Sequence, residues 1–197
     1  MAVYFPNTNS LLLLPPKAGS VWLRAVLVES KVFHVILGPE ELRGHGRLAL
    51  YGREFSAIGA FVRHPISWYH SYWRYRSKNS TWDERWIIDA DCASSSFEEF
   101  LQLVCSEHPG YLTNLFSEFT GAPENPIDYI GKTEFLVDGL LSYLNLIGER
   151  YQRGVIEDFA PRNVSGPRFS PTREHCDLVY RAEIGCYETY NYDKLPM

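Results

Sequence analysis

A lysine, a glycine and a serine stand together near the start of the chain, where a short apolar run ends. The run Leu11 to Leu14 is followed by Pro15 and Pro16 and then by Lys17-Ala18-Gly19-Ser20-Val21-Trp22. The prolines end a buried strand, and the apolar spacing that starts at Trp22 is typical of a helix face. The backbone N–H groups of Gly19, Ser20 and Val21 at a helix start attract phosphate. The segment therefore predicts an anion-binding turn to which Lys17 adds a full positive charge.

An arginine and a serine eight residues further on form a second candidate phosphate site. Arg63 follows the apolar run Phe55 to Val62, and Pro65 suits the first turn of a helix. Ser71 would lie about two turns into that helix. An arginine fork supplies geometry as well as charge, and a serine hydroxyl adds a neutral donor. We expect Arg63 and Ser71 to bind one phosphate group.

The elements that must position these residues alternate between strands and helices. The predicted strands cover residues 11–14, 32–37, 57–62 and 129–131, and residues 78–95 form an irregular stretch. The predicted helices cover residues 20–29, 65–77, 97–104, 111–119, 136–147 and 173–184, and Ser96 to Glu99 is a capping box for the third of them. This order indicates a single-domain α/β fold over residues 1–197, with a parallel sheet flanked by helices. In such folds the ligand loops lie at the carboxyl ends of the strands.

The two phosphate segments resemble those of the sulfotransferases that use 3′-phosphoadenosine 5′-phosphosulfate (PAPS). Pro16 to Trp22 is similar to the 5′-phosphosulfate loop of that family, Pro-Lys-Ser-Gly-Thr-Thr-Trp, with Ala18 in place of a serine and Val21 in place of a threonine. Arg63 and Ser71 resemble the 3′-phosphate motif. Two later segments add to the resemblance: Asp128 to Glu134 is similar to the strand near the Gly-Arg-Tyr-Glu turn, and Asn163 to Ser165 resembles an Asn-x-Ser loop of carbohydrate-type and bacterial enzymes.

The resemblance implies a P-loop-like sulfotransferase fold and the transfer of a sulfuryl group from PAPS to a hydroxyl of a carbohydrate or small-molecule acceptor. Lys17 would act at the bridging oxygen of the leaving nucleotide, either by stabilising its charge or as a general acid, and the product is adenosine 3′,5′-bisphosphate. The implied PAPS-binding residues are Lys17, Ala18, Gly19, Ser20, Val21, Trp22, Arg63 and Ser71. An aromatic ring at Trp22 would stack on adenine, although the same tryptophan fits a helix-face core position.

The sequence offers several candidates for the group that accepts the proton from the acceptor hydroxyl. His45 resembles a histidine that precedes the second phosphate strand in related enzymes, and an imidazole can accept a proton near neutral pH. Glu29, Glu40 and Glu41 stay open as alternatives. His34 fits a core position in an apolar strand. His64 replaces an aspartate of the family and is predicted to orient Arg63.

Composition narrows the functional classes. The net charge is −5 and the chain has no basic run, so a nucleic-acid partner is not expected. The sequence suggests neither a membrane span nor a secretory signal, which predicts a cytoplasmic protein without a membrane partner. The four cysteines, Cys92, Cys105, Cys176 and Cys186, show no metal-binding spacing and are predicted to be free thiols.

Two other functions stay open beside the sulfotransferase. The first is a P-loop-like nucleotide or metabolite kinase, although the Gly-Lys-Ser/Thr pattern of that class is missing. The second is a non-catalytic nucleotide-binding protein, because two hydroxyls of the phosphosulfate loop are lost. The stretch Lys78 to Ser95, with Trp82 and Trp86, is interpreted either as a lid that binds the acceptor or as a surface loop.

Overall fold

Five strands form one mixed sheet that carries the candidate site. The computed structural model describes residues 1–38, 46–79, 81–160 and 169–196. Its strands are β1 (Ala2–Phe5), β2 (Ser10–Leu13), β3 (Val35–Leu37), β4 (Ala57–Val62) and β5 (Tyr129–Lys132). They are arranged in the order β3-β1-β2-β4-β5. Strands β2, β4 and β5 are parallel neighbours, whereas β1 runs antiparallel to both β2 and β3.

Helices alternate with these strands, which confirms the predicted α/β class. In the described residues they are α1 (Ser20–Glu29), α2 (Leu48–Tyr51), α3 (Pro65–Asn79), α4 (Ile87–Cys92), α5 (Phe97–Glu107), α6 (Tyr111–Thr120), α7 (Leu136–Leu146), α8 (Arg153–Glu157), α9 (Arg173–Ala182) and α10 (Ile184–Thr189). A 3₁₀ turn, Thr133–Phe135, joins β5 to α7.

The described residues divide into two compact units. The first draws on Met1–Arg63 and Phe116–Val164 and contains the whole sheet. The second draws on His64–Leu115 and Ser165–Met197 and is helical. The single domain over residues 1–197 stays a prediction.

The core of the first unit lies between the sheet and three helices. Val3, Phe5, Leu12 and Phe61 form the sheet side of one buried cluster. The helix side consists of apolar residues from α1, α7 and α8: Trp22, Leu23, Val26, Leu27, Leu140, Leu141, Tyr143, Leu144 and Ile156. The Tyr143 hydroxyl donates to the carbonyl oxygen of Leu11 at 2.9 Å, so even the polar end of this large side chain is satisfied. This packing fixes α1, and with it the turn that precedes α1, against the sheet.

The second unit is held together by aromatic rings and by buried carboxylates, of which Glu183 is the more deeply buried. Trp68 stacks on Tyr72 with ring centroids 4.9 Å apart. Glu183 is fully buried and accepts a hydrogen bond from the Tyr69 hydroxyl at 2.5 Å. All four cysteines are free thiols and buried. Burial raises the pKa of Cys92 to about 11 and that of Cys105 to about 12, so both stay protonated at neutral pH.

The expectation of a parallel sheet was wrong, because the first strand was missed. β1 pairs with β2 through the turn Pro6 to Asn9, and Asn9 adopts a left-handed φ of 49°. A Pro-Asn-Thr-Asn turn between two apolar segments is a hairpin signal. The hairpin places an antiparallel strand between β2 and β3.

Three further predictions need correction. The predicted strand 32–37 begins only at Val35, and His34 precedes it half-buried, with Nδ1 2.7 Å from the Val32 carbonyl oxygen, rather than in the core. The irregular stretch 78–95 contains α4. The final helix ends at Ala182, because Glu183 leaves helical geometry and turns its carboxylate inward.

No helix in the described residues is both long enough and apolar enough to cross a membrane.

Candidate functional site

The turn between β2 and α1 is built by two residues with left-handed backbone. Lys17 has a φ of 59° and Gly19 a φ of 84°. A side chain at position 19 would be strained by that φ, and its Cβ would also lie 2.9 Å from Leu136 Cδ2. Glycine therefore fits this position without strain, whereas any other residue would be strained. The chain therefore turns sharply from the strand into the helix, with Lys17 half-buried in the turn.

Among the residues that the structure describes, no acidic side chain binds the first backbone N–H groups of helix α1. Its first helical hydrogen bond runs from Leu23 N to Gly19 O at 3.0 Å. Gly19 has no side chain to cap the helix, and the first turn carries no acidic residue. Within the described residues, no side chain accepts a hydrogen bond from the N–H groups of Val21 or Trp22. These donors and the positive end of the helix dipole together favour an anionic ligand.

Arg63 is joined to this turn by a hydrogen bond. It follows the last residue of β4, the parallel neighbour of β2, and its Nη1 donates to the carbonyl oxygen of Lys17 at 3.2 Å. Lys17 of the first predicted phosphate segment and Arg63 of the second therefore lie together at one edge of the sheet. Two cationic residues and a helix start lie together in the first unit.

The end of β5 adds residues that sequence reasoning did not assign to the site. Lys132 is the register partner of Val62, so it lies beside the residue that precedes Arg63. The Thr133 hydroxyl donates to the Val62 carbonyl oxygen at 2.9 Å. Glu134 follows in the 3₁₀ turn and partly offsets the positive charge of the edge. The available signal was the predicted strand 129–131 itself, because the carboxyl end of a third parallel strand lies at the same edge.

The remaining loop residues differ in their accessibility. Ala18 is buried, whereas Val21 is 42% exposed and Ser20 is half-buried. Trp22 is only 5% exposed and meets Phe159 edge to face, with ring centroids 6.0 Å apart. The structure thus describes Trp22 as a core residue. Adenine stacking at Trp22 stays a prediction.

Ser71 and His64 belong to the second unit, whereas Arg63 belongs to the first. Ser71 is buried on α3. His64 is also buried, with Nε2 2.9 Å from the Asp193 carbonyl oxygen, and its ring packs against Tyr187 and Tyr192. The shared phosphate of Arg63 and Ser71, and the influence of His64 on Arg63, stay predictions.

The candidate bases are only partly described. His45, Glu40 and Glu41 lie outside the described residues. Glu29 is exposed at the last residue of α1, about 13 Å along the helix from Ser20 at 1.5 Å per residue. It lines a surface pocket with Gly154, Asp158 and Phe159 instead. Glu29 therefore does not contact the Lys17 turn.

The stretch Lys78 to Ser95 is anchored within the second unit by a buried carboxylate. Asp89 accepts hydrogen bonds from the Tyr72 hydroxyl at 2.7 Å and from the backbone N–H of Asp83 at 3.0 Å, and Arg76 Nε pairs with it at 2.8 Å. Burial raises the pKa of Asp89, and its hydrogen bonds and the charge of Arg76 oppose that increase. Trp82 packs on Phe100 at 5.7 Å, while Trp86 is 41% exposed. Part of this stretch is therefore packed, and Trp86 keeps an exposed ring.

A scan of protein-family models found no match to this chain, and searches of curated proteins and of solved structures returned none either.

Proposed function

We propose that this chain is a PAPS-dependent sulfotransferase of P-loop-like fold that sulfates a hydroxyl of a carbohydrate or small-molecule acceptor. One observation carries the proposal. The turn containing Lys17 leads into the N-terminus of α1, whose first donors bind no side chain of the described residues, and Arg63 is hydrogen-bonded to that same turn. Two cationic residues and the start of a helix lie together at this turn, which suits a ligand with several phosphate or sulfate groups.

The chemistry assigned to Lys17 follows from where charge develops. The acceptor oxygen forms a bond to sulfur, the bond from sulfur to the nucleotide's bridging oxygen breaks, and the acceptor proton passes to a base. The electron pair of the broken bond stays on the bridging oxygen, so adenosine 3′,5′-bisphosphate leaves with additional charge. An ammonium next to that oxygen stabilises the transition state more than the ground state. For the base, His45 stays the prediction of the sequence.

The stretch Lys78 to Ser95 is proposed to contribute to acceptor binding. Trp86 offers an exposed ring of the kind that packs against sugars, and it lies in the stretch that the sequence suggests as a lid. A cytoplasmic location goes with the proposal, because four free, buried thiols suit a reducing compartment.

Calorimetric titration tests the cofactor. The purified chain should bind adenosine 3′,5′-bisphosphate more tightly than adenosine 5′-monophosphate and ATP, because Arg63 and Ser71 are proposed to hold the 3′-phosphate. Turnover is then measured with sulfur-labelled PAPS and a panel of hydroxylated acceptors. Tighter binding of ATP would favour the kinase. Tight binding of the bisphosphate without turnover on any acceptor would favour the non-catalytic nucleotide-binding protein.

A further inference from the structure

Arg63 holds the backbone of the Lys17 turn as well as carrying charge. Its Nη1 donates to the Lys17 carbonyl oxygen at 3.2 Å, in a partly buried position. Lys17 itself has a left-handed φ of 59°, which a residue with a Cβ adopts only when its surroundings compensate for the strain. A charged donor fixed on the carbonyl of the strained residue is such a compensation.

The position of Arg63 is in turn set by the third parallel strand. The Thr133 hydroxyl donates to the carbonyl oxygen of Val62, the residue directly before Arg63. Val62 is completely buried and in register with Lys132, so the backbone at this point is held on the sheet by the ladder and by Thr133. A hydrogen-bonded connection therefore runs from the end of β5, through the end of β4, to the turn after β2.

We infer that Arg63 is a positioning residue for Lys17, and that Thr133 supports it by holding the end of β4. The resemblance implies only that Arg63 binds the 3′-phosphate. A guanidinium has five N–H donors, and the bond to the Lys17 carbonyl uses one of them. Loss of Arg63 should then disturb the Lys17 turn in the protein without nucleotide, and not only weaken binding of the 3′-phosphate. The consequence for turnover rests on the proposed function.

Hydrogen exchange measured by mass spectrometry on the full chain without ligand tests the connection directly. The amides of Lys17 to Trp22 should exchange at least about ten times faster in Arg63→Ala than in the wild type, as expected for loss of one hydrogen bond from a charged donor. Thr133→Val removes the hydroxyl at nearly constant volume and should accelerate the same amides by a smaller factor. Thr133→Ser should restore the wild-type rate.

The control is Arg53→Ala. Arg53 also donates from its guanidinium to backbone carbonyl oxygens of the first unit, those of Asn125 and Pro126. Its replacement should accelerate exchange near those residues and leave the amides of Lys17 to Trp22 unchanged. This comparison separates loss of a specific connection from a general loss of stability. Circular dichroism verifies that each variant is folded.

Turnover supplies the second readout. At saturating PAPS, Arg63→Ala should lower kcat at least tenfold, since a displaced Lys17 stabilises the leaving group less well at full occupancy. Unchanged exchange of the turn amides in both Arg63→Ala and Thr133→Val would overturn the inference, whatever the protein catalyses. If the variants show the expected changes in exchange but the wild type neither binds adenosine 3′,5′-bisphosphate nor turns over PAPS, only the proposed function is contradicted.

Discussion

Helices α1 and α6 begin with the same backbone geometry but differ in the charged groups near their first N–H donors. Gly19 precedes α1 with a φ of 84°, and Gly110 precedes α6 with a φ of 79°. Each glycine carbonyl accepts the first helical hydrogen bond, from Leu23 N at 3.0 Å and from Asn114 N at 2.9 Å. The two helix starts, one in each unit, are therefore close equivalents in backbone terms.

The difference lies in what binds the first donors. In α6 the buried Glu183 carboxylate accepts from Leu112 N at 3.0 Å and from Thr113 N at 2.8 Å. The corresponding donors of α1, Val21 N and Trp22 N, bind no side chain within the described ranges. α6 thus shows how this backbone geometry holds a carboxylate oxygen pair that the chain supplies itself. In α1 the same geometry lies beside Lys17 and Arg63, which is why we assign it to an external anion.

Of the substitutions that test this difference, Lys17→Ala is expected to have the largest effect, on turnover. Lys17→Ala should lower turnover by about 10² to 10³, or roughly 2.7 to 4 kcal/mol of transition-state stabilisation, because the bridging oxygen gains its charge during the reaction. Binding of adenosine 3′,5′-bisphosphate, measured by titration, should weaken much less. Turnover that is unchanged at saturating PAPS would remove Lys17 from its proposed role.

Glu183, which binds the first donors of α6, should contribute to the stability of the fold rather than to nucleotide binding or turnover. Glu183→Ala leaves the donors of Leu112 and Thr113 and the Tyr69 hydroxyl without their acceptor, so the free energy of unfolding should fall by about 2 to 3 kcal/mol. Urea denaturation measures this loss. Binding of adenosine 3′,5′-bisphosphate by the variant that is still folded should stay at the wild-type level; a selective loss of binding would mean that the two helix starts are not functionally distinct.

The titration of Glu183 provides a pH test of the same carboxylate. Burial raises the pKa of Glu183 above its usual value of 4.5, even though four hydrogen bonds oppose the shift. A raised folded-state pKa contributes stability below the unfolded pKa, and this contribution is lost as pH rises through the folded pKa. The unfolding free energy of the wild type minus that of Glu183→Gln should therefore decrease as pH rises from about 4. A difference that increases with pH would contradict this assignment.

Much of the α1 start was predictable from sequence, and most of the α6 start was not. The periodicity of Trp22, Leu23, Val26 and Leu27 and the turn before them predict α1 with the bounds that the structure gives, because both signals are local. The role of Glu183 was missed because its donors are about 70 residues away in the chain. Such a partner is set by tertiary packing, which no local pattern records.

The same distinction explains the rest of the site. Arg63 and β4 were predicted from a local apolar run, yet the bond from Arg63 to the Lys17 carbonyl depends on β2 and β4 being neighbours. The hydrogen bond from Thr133 to Val62 could not be predicted from the sequence, because it depends on the pairing of β5 with β4. The antiparallel β1 was missed because its signal is the Pro-Asn-Thr-Asn turn before β2, and the apolar pattern of the strands does not include that turn.

A smaller effect is expected from the charge that Arg63 offers to a nucleotide. Arg63→Ala should weaken binding of PAPS by roughly 1.5 to 3 kcal/mol and binding of adenosine 5′-phosphosulfate by less, because only PAPS carries the 3′-phosphate. Competition titrations with the two nucleotides measure the difference. Equal losses for both would leave Arg63 with its positioning role and remove the 3′-phosphate assignment.

The most direct test of the central claim, that α1 leaves its first donors for an external anion, is to supply an internal one. Ser20→Asp places a carboxylate in the first turn of α1, whereas the start of α6 receives its carboxylate from the distant Glu183. The helix dipole should then stabilise the fold by about 0.3 to 1 kcal/mol, while the added negative charge repels the nucleotide. Paired measurements of thermal unfolding and of adenosine 3′,5′-bisphosphate binding, with Ser20→Asn as the neutral control, should show a higher Tm and at least tenfold weaker binding for Ser20→Asp alone. Nucleotide binding that is unaffected by the new carboxylate would contradict the account.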